Sequence, residues 1–153
     1  MLFLVFQLGK DRFLIEARRV AEVVPLVEFK SLPQAPAWLA GLFDYRGMPV
    51  PIIDLSALAL GRPARRCLST RILLVHGQIE DGGTRLVGLI AEQATQTLRC
   101  DHLQFLDSGV SNDAAPYLGP VLRDADGLLQ RIELDRLLSQ PLLASLGAPQ
   151  AAA

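Results

Sequence analysis

Cys100-Asp101-His102 places a thiol, a carboxylate and an imidazole on three consecutive residues. Thiol catalysis would need the imidazole to converge on the sulfur, and a metal clamp would need ligands spaced as zinc sites space them. Three adjacent residues are too compact for such a clamp. His76 ends an apolar run elsewhere, and Cys67 has no ligand near it in sequence. Asp124-Ala125-Asp126-Gly127 opens like a calcium loop. The residue at its bidentate-Glu position is Asp135, however, and the residues between read as a strand, so a hairpin turn is the better reading. Gly82-Gly83 lacks the strand and helix that flank a phosphate loop, and it too reads as a turn. Arg62, Arg65 and Arg66, with Arg71 beyond, form the densest basic cluster. No aromatics interleave with it, which favours a solvated loop over a nucleic-acid groove. Asp44 and Asp54 could be paired as acid and base, but Asp54 ends an apolar run where an Asp more simply caps the next turn or helix. No catalytic, metal or cofactor site follows from these residues, and the chain reads as a non-enzyme.

Two charges attract a different reading. Glu22 and Arg46 each sit among residues that read as buried strand. Charged groups in such places are usually paired. If the two met and were fully buried, deleting either would cost roughly 3–5 kcal/mol. Their pairing would clasp two strands, and the same charges could mark a binding face.

The elements that must position them are short strands. Phe3 to Leu8 and Arg12 to Ile15 flank Gly9-Lys10-Asp11 as a hairpin, and Glu16 to Arg19 suits a single helical turn. Val20 to Val24 resumes strand character, followed by the pair Gly41 to Phe43 and Val50 to Leu55 around Arg46-Gly47. Arg71 to His76 and Arg85 to Ile90 flank Glu80-Asp81-Gly82-Gly83, and Ala94 to Leu98 is a further strand. Tyr117 to Leu122 and Leu128 to Leu134 flank the turn at Asp124 to Gly127. Helix is expected only in small pieces, at Leu55 to Ala59 and Asp135 to Leu138, with loops at Pro63 to Arg66 and Ser108 to Pro116. Many short strands at near-regular spacing imply a closed or sandwiched all-β architecture.

Composition agrees. The 153 residues suit one domain that buries about two-thirds of its unfolded surface. Half are hydrophobic and a fifth charged, and 15 basic residues nearly cancel 16 acidic ones. That balance gives no electrostatic case for nucleic acid or an anionic membrane. Met1 to Phe6 lacks a basic n-region and reads as a strand rather than a signal peptide, and no apolar run approaches the ~20 residues of a membrane span. Cys67 and Cys100 are expected as free thiols in a reducing cytoplasm. The residues after Leu146 have little to bury and are expected to be a disordered tail over 147–153.

With these residues in view, the chain resembles the CheW family of chemotaxis coupling proteins. The resemblance runs from Phe3 to about Leu138. It is carried in order by Gly9, Val20-Ala21-Glu22-Val23, Pro33 and Pro36, Gly41-Leu42-Phe43-Asp44-Tyr45-Arg46-Gly47, and Val50 through Leu55. Arg71 to Val75, Gly88-Leu89-Ile90, Tyr117-Leu118-Gly119 and Leu137-Leu138 complete it. The resemblance implies two small SH3-like five-stranded β-barrels packed together with a few short helices, a hydrophobic groove between them, and a single CheW-like domain over 1–146. It implies an adaptor without catalytic activity or cofactor. Its partners would be the cytoplasmic tip of a chemoreceptor and the regulatory domain of a CheA-type histidine kinase, at membrane-associated arrays. A regulatory module of a larger signalling protein is the first alternative, which the start at Met1 and the short tail disfavour, and a small β-barrel ligand binder or enzyme using Cys100 and His102 is the second.

Carried over by position, Val20, Glu22, Gly41, Arg46, Gly47 and Gly88 match family positions tied to partner coupling or to the structure beneath it, with an ion pair between Glu22 and Arg46. The chain also departs from the family. Asp44-Tyr45 stands where Asn-Leu is usual, Glu92 where Asp is common, Ala94 and Thr97 where valines follow, and Ile132-Glu133 where Leu-Asp is usual. These changes extend the expected pathways to surface sensing, second-messenger control and pilus motility, and they make Asp44 and Tyr45 candidates for partner choice.

Overall fold

The apolar runs fold as nine strands in the computed structural model, which describes residues 1–78 and 83–138. In chain order they are β1 (Leu2–Leu8), β2 (Asp11–Glu16), β3 (Val20–Pro25), β4 (Leu39–Tyr45), β5 (Met48–Asp54), β6 (Arg71–Gln78), β7 (Thr84–Arg99), β8 (Leu118–Asp124) and β9 (Gly127–Ile132). Helix among the described residues is confined to α1 (Leu55–Leu60), α2 (Leu134–Leu138) and single 3-10 turns at Ala17–Arg19 and His102–Gln104. The architecture is all-β, as expected. Residues 80–82 of the expected turn and the tail over 147–153 lie outside the described residues. No helix among those described is long and apolar enough to cross a membrane.

The two runs expected as separate strands at Arg85 to Ile90 and Ala94 to Leu98 are one strand of 16 residues, β7. Gln93, with φ of 52°, marks the bend between its halves. The first half pairs antiparallel with β6 and parallel with β5, and the second half pairs antiparallel with β1. Two five-stranded units therefore share β7. The first unit contains β1, β2, β9, β8 and the second half of β7, and the second contains β3, β6, β5, β4 and its first half.

The two halves of the chain follow one path. The antiparallel hairpin β1–β2 corresponds to β6–β7, and β4–β5 with α1 corresponds to β8–β9 with α2. The parallel pair β2–β9 corresponds to β7–β5, and β1–β7 corresponds to β6–β3. Each half thus lends its first hairpin to the other half's unit. The exchange lies in the topology alone, since the sequence carries no repeat of fixed period.

Side-chain alternation sorts the core into three clusters. Phe3, Val5, Leu14 and Leu129 fill the first unit, and Val50, Ile52, Ile72, Leu74 and Ile90 fill the second. The neighbouring residues Phe6, Ile15, Ile53, Leu73, Val75 and Leu89 point the other way, into a third cluster that joins the units. Central strands are buried on both faces, which is why β5 and β6 read as continuous apolar runs. Packing is close at Gly88, where an added Cβ would lie 2.5 Å from Ile52 Cδ1.

Candidate functional site

The second unit opens between its end strands, β3 and β4. Among the described strands β3 pairs only with β6, and β4 only with β5. One backbone bridge crosses near the seam, with Lys30 and Leu42 exchanging two N–H···O bonds of 2.8 Å. Gly41 permits that approach, because a Cβ there would sit 2.1 Å from the Lys30 carbonyl oxygen.

Side chains close the rest. β3 alternates, with Val20, Glu22 and Val24 half-buried and Ala21, Val23 and Pro25 turned to solvent. On β4, Phe43 and Tyr45 share one face, their ring centroids 6.1 Å apart, and both pack against the core of the second unit. The strand ends in a two-residue turn, with Tyr45 opposite Met48 and positive φ at both Arg46 (52°) and Gly47 (84°). That is a type I′ turn, whose twist matches a hairpin and which suits glycine at its second position. Asp44 fixes the turn by accepting the Gly47 N–H at 2.9 Å. Tyr45 therefore points across the seam, and its hydroxyl donates a short hydrogen bond to Glu22 Oε2.

The direct Glu22–Arg46 ion pair expected from the sequence does not form, since no ion pair joins these two residues. Arg46 occupies the tip of the turn and is exposed, whereas the premise of the pairing was that both charges lay in buried strand. Its guanidinium instead lies over the Tyr45 ring, 5.0 Å from the centroid. Tyr45 thus stands between the two charges. The bond to Glu22, then desolvation, raises the Tyr45 phenol above its ordinary pKa, and the nearby Arg46 charge partly opposes them. Glu22, Asp44, Tyr45, Arg46 and Gly47 are brought together at the seam. Val20 lies on the same face of β3 but packs against the cluster joining the units, and Gly41 and Gly88 are close-approach positions beneath the surface. The signal for Tyr45 was its departure from the usual Leu, although nothing local pointed to Glu22 as its acceptor.

Around this clasp the surface offers two strand edges and the exposed apolar side chains of Val23 and Met48. Such a surface can take another sheet by edge and face contact. The reactive residues lie elsewhere. Asp101 caps the 3-10 turn of His102 through a capping box with Gln104, and Asp124 pairs with Arg12 and accepts the Asp126 N–H within the β8–β9 turn. Asp54 caps α1, accepting from the Ser56 and Ala57 N–H groups. Cys67 is exposed, Cys100 is buried, and both are free thiols. Among the described residues no group of three or more His, Cys, Asp or Glu gathers as a metal site.

The family model of the CheW-like domain matches residues 2–142 of this chain. The chain is 26% identical over 145 residues to the chemotaxis protein CheW of Treponema pallidum, covering 92% of this chain and 84% of that one. Its identity to the chemotaxis protein CheW of Klebsiella aerogenes is 22% over 144 residues, covering 93% and 84%. Among solved structures, the scaffolding protein TtCheW from Thermoanaerobacter tengcongensis superposes with a TM-score of 0.77 at 22% identity, covering 92% of this chain and 88% of that one. That likeness establishes the shared fold.

Proposed function

The chain belongs to the CheW-like domain family, whose members are non-enzymatic scaffold proteins, and from that premise we propose that it is a coupling adaptor of a chemosensory array. It ties the cytoplasmic tip of a chemoreceptor to the regulatory domain of a CheA-type histidine kinase. It works in the cytoplasm and is held at membrane-associated arrays by those partners. The observation that carries this reading is the family match over residues 2–142. The seam between β3 and β4, with Glu22, Asp44, Tyr45, Arg46 and Gly47, is the proposed partner-binding surface, and Val20, Gly41 and Gly88 support it from within. Pairwise contacts can be weak, because an array multiplies them.

Co-purification with the cognate kinase's regulatory domain and with a receptor signalling tip tests the reading. Retention of either supports it, and absence of both at high protein concentration overturns it. The pathway extends in this proposal beyond flagellar chemotaxis to surface sensing, second-messenger control or pilus motility, because Asp44-Tyr45 changes the turn that faces partners. Expression in a flagellar strain lacking its own coupling protein separates these outputs. Restored swimming assigns the flagellar pathway, and failure to restore it by a folded protein supports a non-flagellar one.

A further inference from the structure

The loop from Gly61 to Thr70 joins α1 to β6 and contains Arg62, Arg65 and Arg66. The chain has no acidic residue between Asp54 and Glu80. The two carboxylates that approach the loop are buried and bind its backbone rather than its guanidinium groups. Asp54 Oδ2 accepts the Ala64 N–H at 2.9 Å, and Glu92 Oε1 accepts the Arg65 N–H at 2.9 Å. The far end is tied by the Thr70 N–H to the Cys67 carbonyl and by the Ala94 N–H to the Ser69 carbonyl. Among the described residues no ion pair neutralises Arg62, Arg65 or Arg66. Arg66 rests over the Phe29 ring, 5.5 Å from its centroid. At the apex Leu68 is 97% exposed.

Holding a loop by its backbone while leaving its cations and one large apolar side chain in water fixes those groups without using them in the fold, the condition under which a surface binds with little ordering cost. We infer that this loop is a second docking surface, separate from the β3–β4 seam, for an acidic segment of a partner protein that carries an apolar side chain for Leu68. Guanidinium groups meet carboxylates in bidentate pairs, which suits an Asp- or Glu-rich peptide. The loop's three arginines, even with Arg71 at the start of β6, only reach the lower bound of the 4–8 basic residues of a polybasic lipid-binding cluster, and the loop itself offers no aromatic platform for nucleic-acid bases.

Cys67 supplies a reporter inside the loop. It is exposed, Cys100 is buried, and the Ser69 and Thr70 hydroxyls lower the Cys67 pKa and so favour its reactive thiolate. The whole chain is titrated with a labelled peptide of repeating Glu-Glu-Leu triplets, with Lys-Lys-Leu and Glu-Glu-Ser peptides, anionic vesicles and duplex DNA in parallel. Anisotropy and the rate of Cys67 alkylation are both read. The inference requires that the Glu-Glu-Leu peptide binds in a salt-sensitive way and slows alkylation. The double variant R65E/R66E should bind it about tenfold more weakly, and Leu68→Ser should erase its advantage over Glu-Glu-Ser. Equal binding by R65E/R66E, unprotected Cys67, or tighter binding of vesicles or DNA than of the peptide overturns it. Kinase and receptor co-purification is a separate readout, so failure here leaves the coupling proposal standing and the reverse also holds.

Discussion

Tyr45 separates two contributions that a direct ion pair would have merged. Its hydroxyl holds Glu22 across the seam, and its ring receives Arg46 from the solvent side. Tyr45→Phe keeps the ring and removes the bond, leaving a half-buried carboxylate without its donor. A loss of about 1 kcal/mol is expected in a thermal or urea melt. Arg46→Ala removes only an exposed cation over a ring and should cost less, about 0.5 kcal/mol, while weakening kinase or receptor retention if that turn meets partners. A larger stability loss for Arg46→Ala than for Tyr45→Phe would restore the direct pair with Glu22. Arg12 and Asp124 form the clearest ion pair, with two contacts of 2.7 and 2.6 Å between β2 and the β8–β9 turn. Hydrogen bonding from Arg12, opposed by desolvation and aided by the Asp126 N–H, lowers the Asp124 pKa from 3.8 to about 2. A depressed carboxylate stabilises the fold above its ordinary pKa, and that stability is lost as pH falls through the folded value. The pair should therefore contribute about 1 kcal/mol after solvent screening, fully present above pH 4 and fading towards pH 2. Melts of Asp124→Asn and the parent should converge over that window, and parallel curves would exclude this contribution.

Local elements were legible where their signal is local. The hairpin turns, the short helices near Leu55 and Leu137, and the cap at Asp54 follow from turn and capping chemistry within a few residues. The unbroken course of β7 was not, because Gln93 and the polar residues around Ala94 resemble a loop until β1 is known to pair on either side of them. Parallel pairing of β5 with β7 also left no local mark, since its partners lie far apart in sequence. Its trace is Gly88, opposite Ile52 in the register. Gly88→Ala would put a methyl group 2.5 Å from Ile52 Cδ1 and 3.0 Å from Ile72 Cγ2. Neither neighbour can retreat from a filled core without a rotamer change, so a loss of about 1–3 kcal/mol is expected in denaturant titration. Ile52→Val made together with Gly88→Ala should recover part of that loss, whereas strict additivity would place the strain elsewhere.

At the scale of the molecule, the exchange of hairpins between chain halves governs how the units can come apart. The first unit takes β1 and β2 from the first half and β8 and β9 from the second, while the other takes β3 to β5 from the first half and β6 from the second. The second unit is one contiguous stretch from Val20 to the first half of β7, whereas the first unit is assembled from both ends of the chain around it, and β7 belongs to both. The cluster around Phe6, Ile15, Ile53, Leu73 and Leu89 closes the interface between them. Opening one unit exposes half of β7 and one side of that cluster, so the two should melt together rather than in sequence. Leu129→Ala, confined to the core of the first unit, tests this because Leu129 is 1% exposed and its truncation should cost about 2–5 kcal/mol. Under a mechanism in which exchange of slow amides follows global opening, hydrogen exchange should accelerate by a similar free energy at Leu74 and Ile90 of the second unit and at Val5 and Leu14 of the first. Acceleration confined to the first unit, or a melt with two resolved steps, would show that the shared strand does not bind the halves into one cooperative body. The proposed coupling role gains from the cooperative outcome, because a partner that strains one unit then does work on the other.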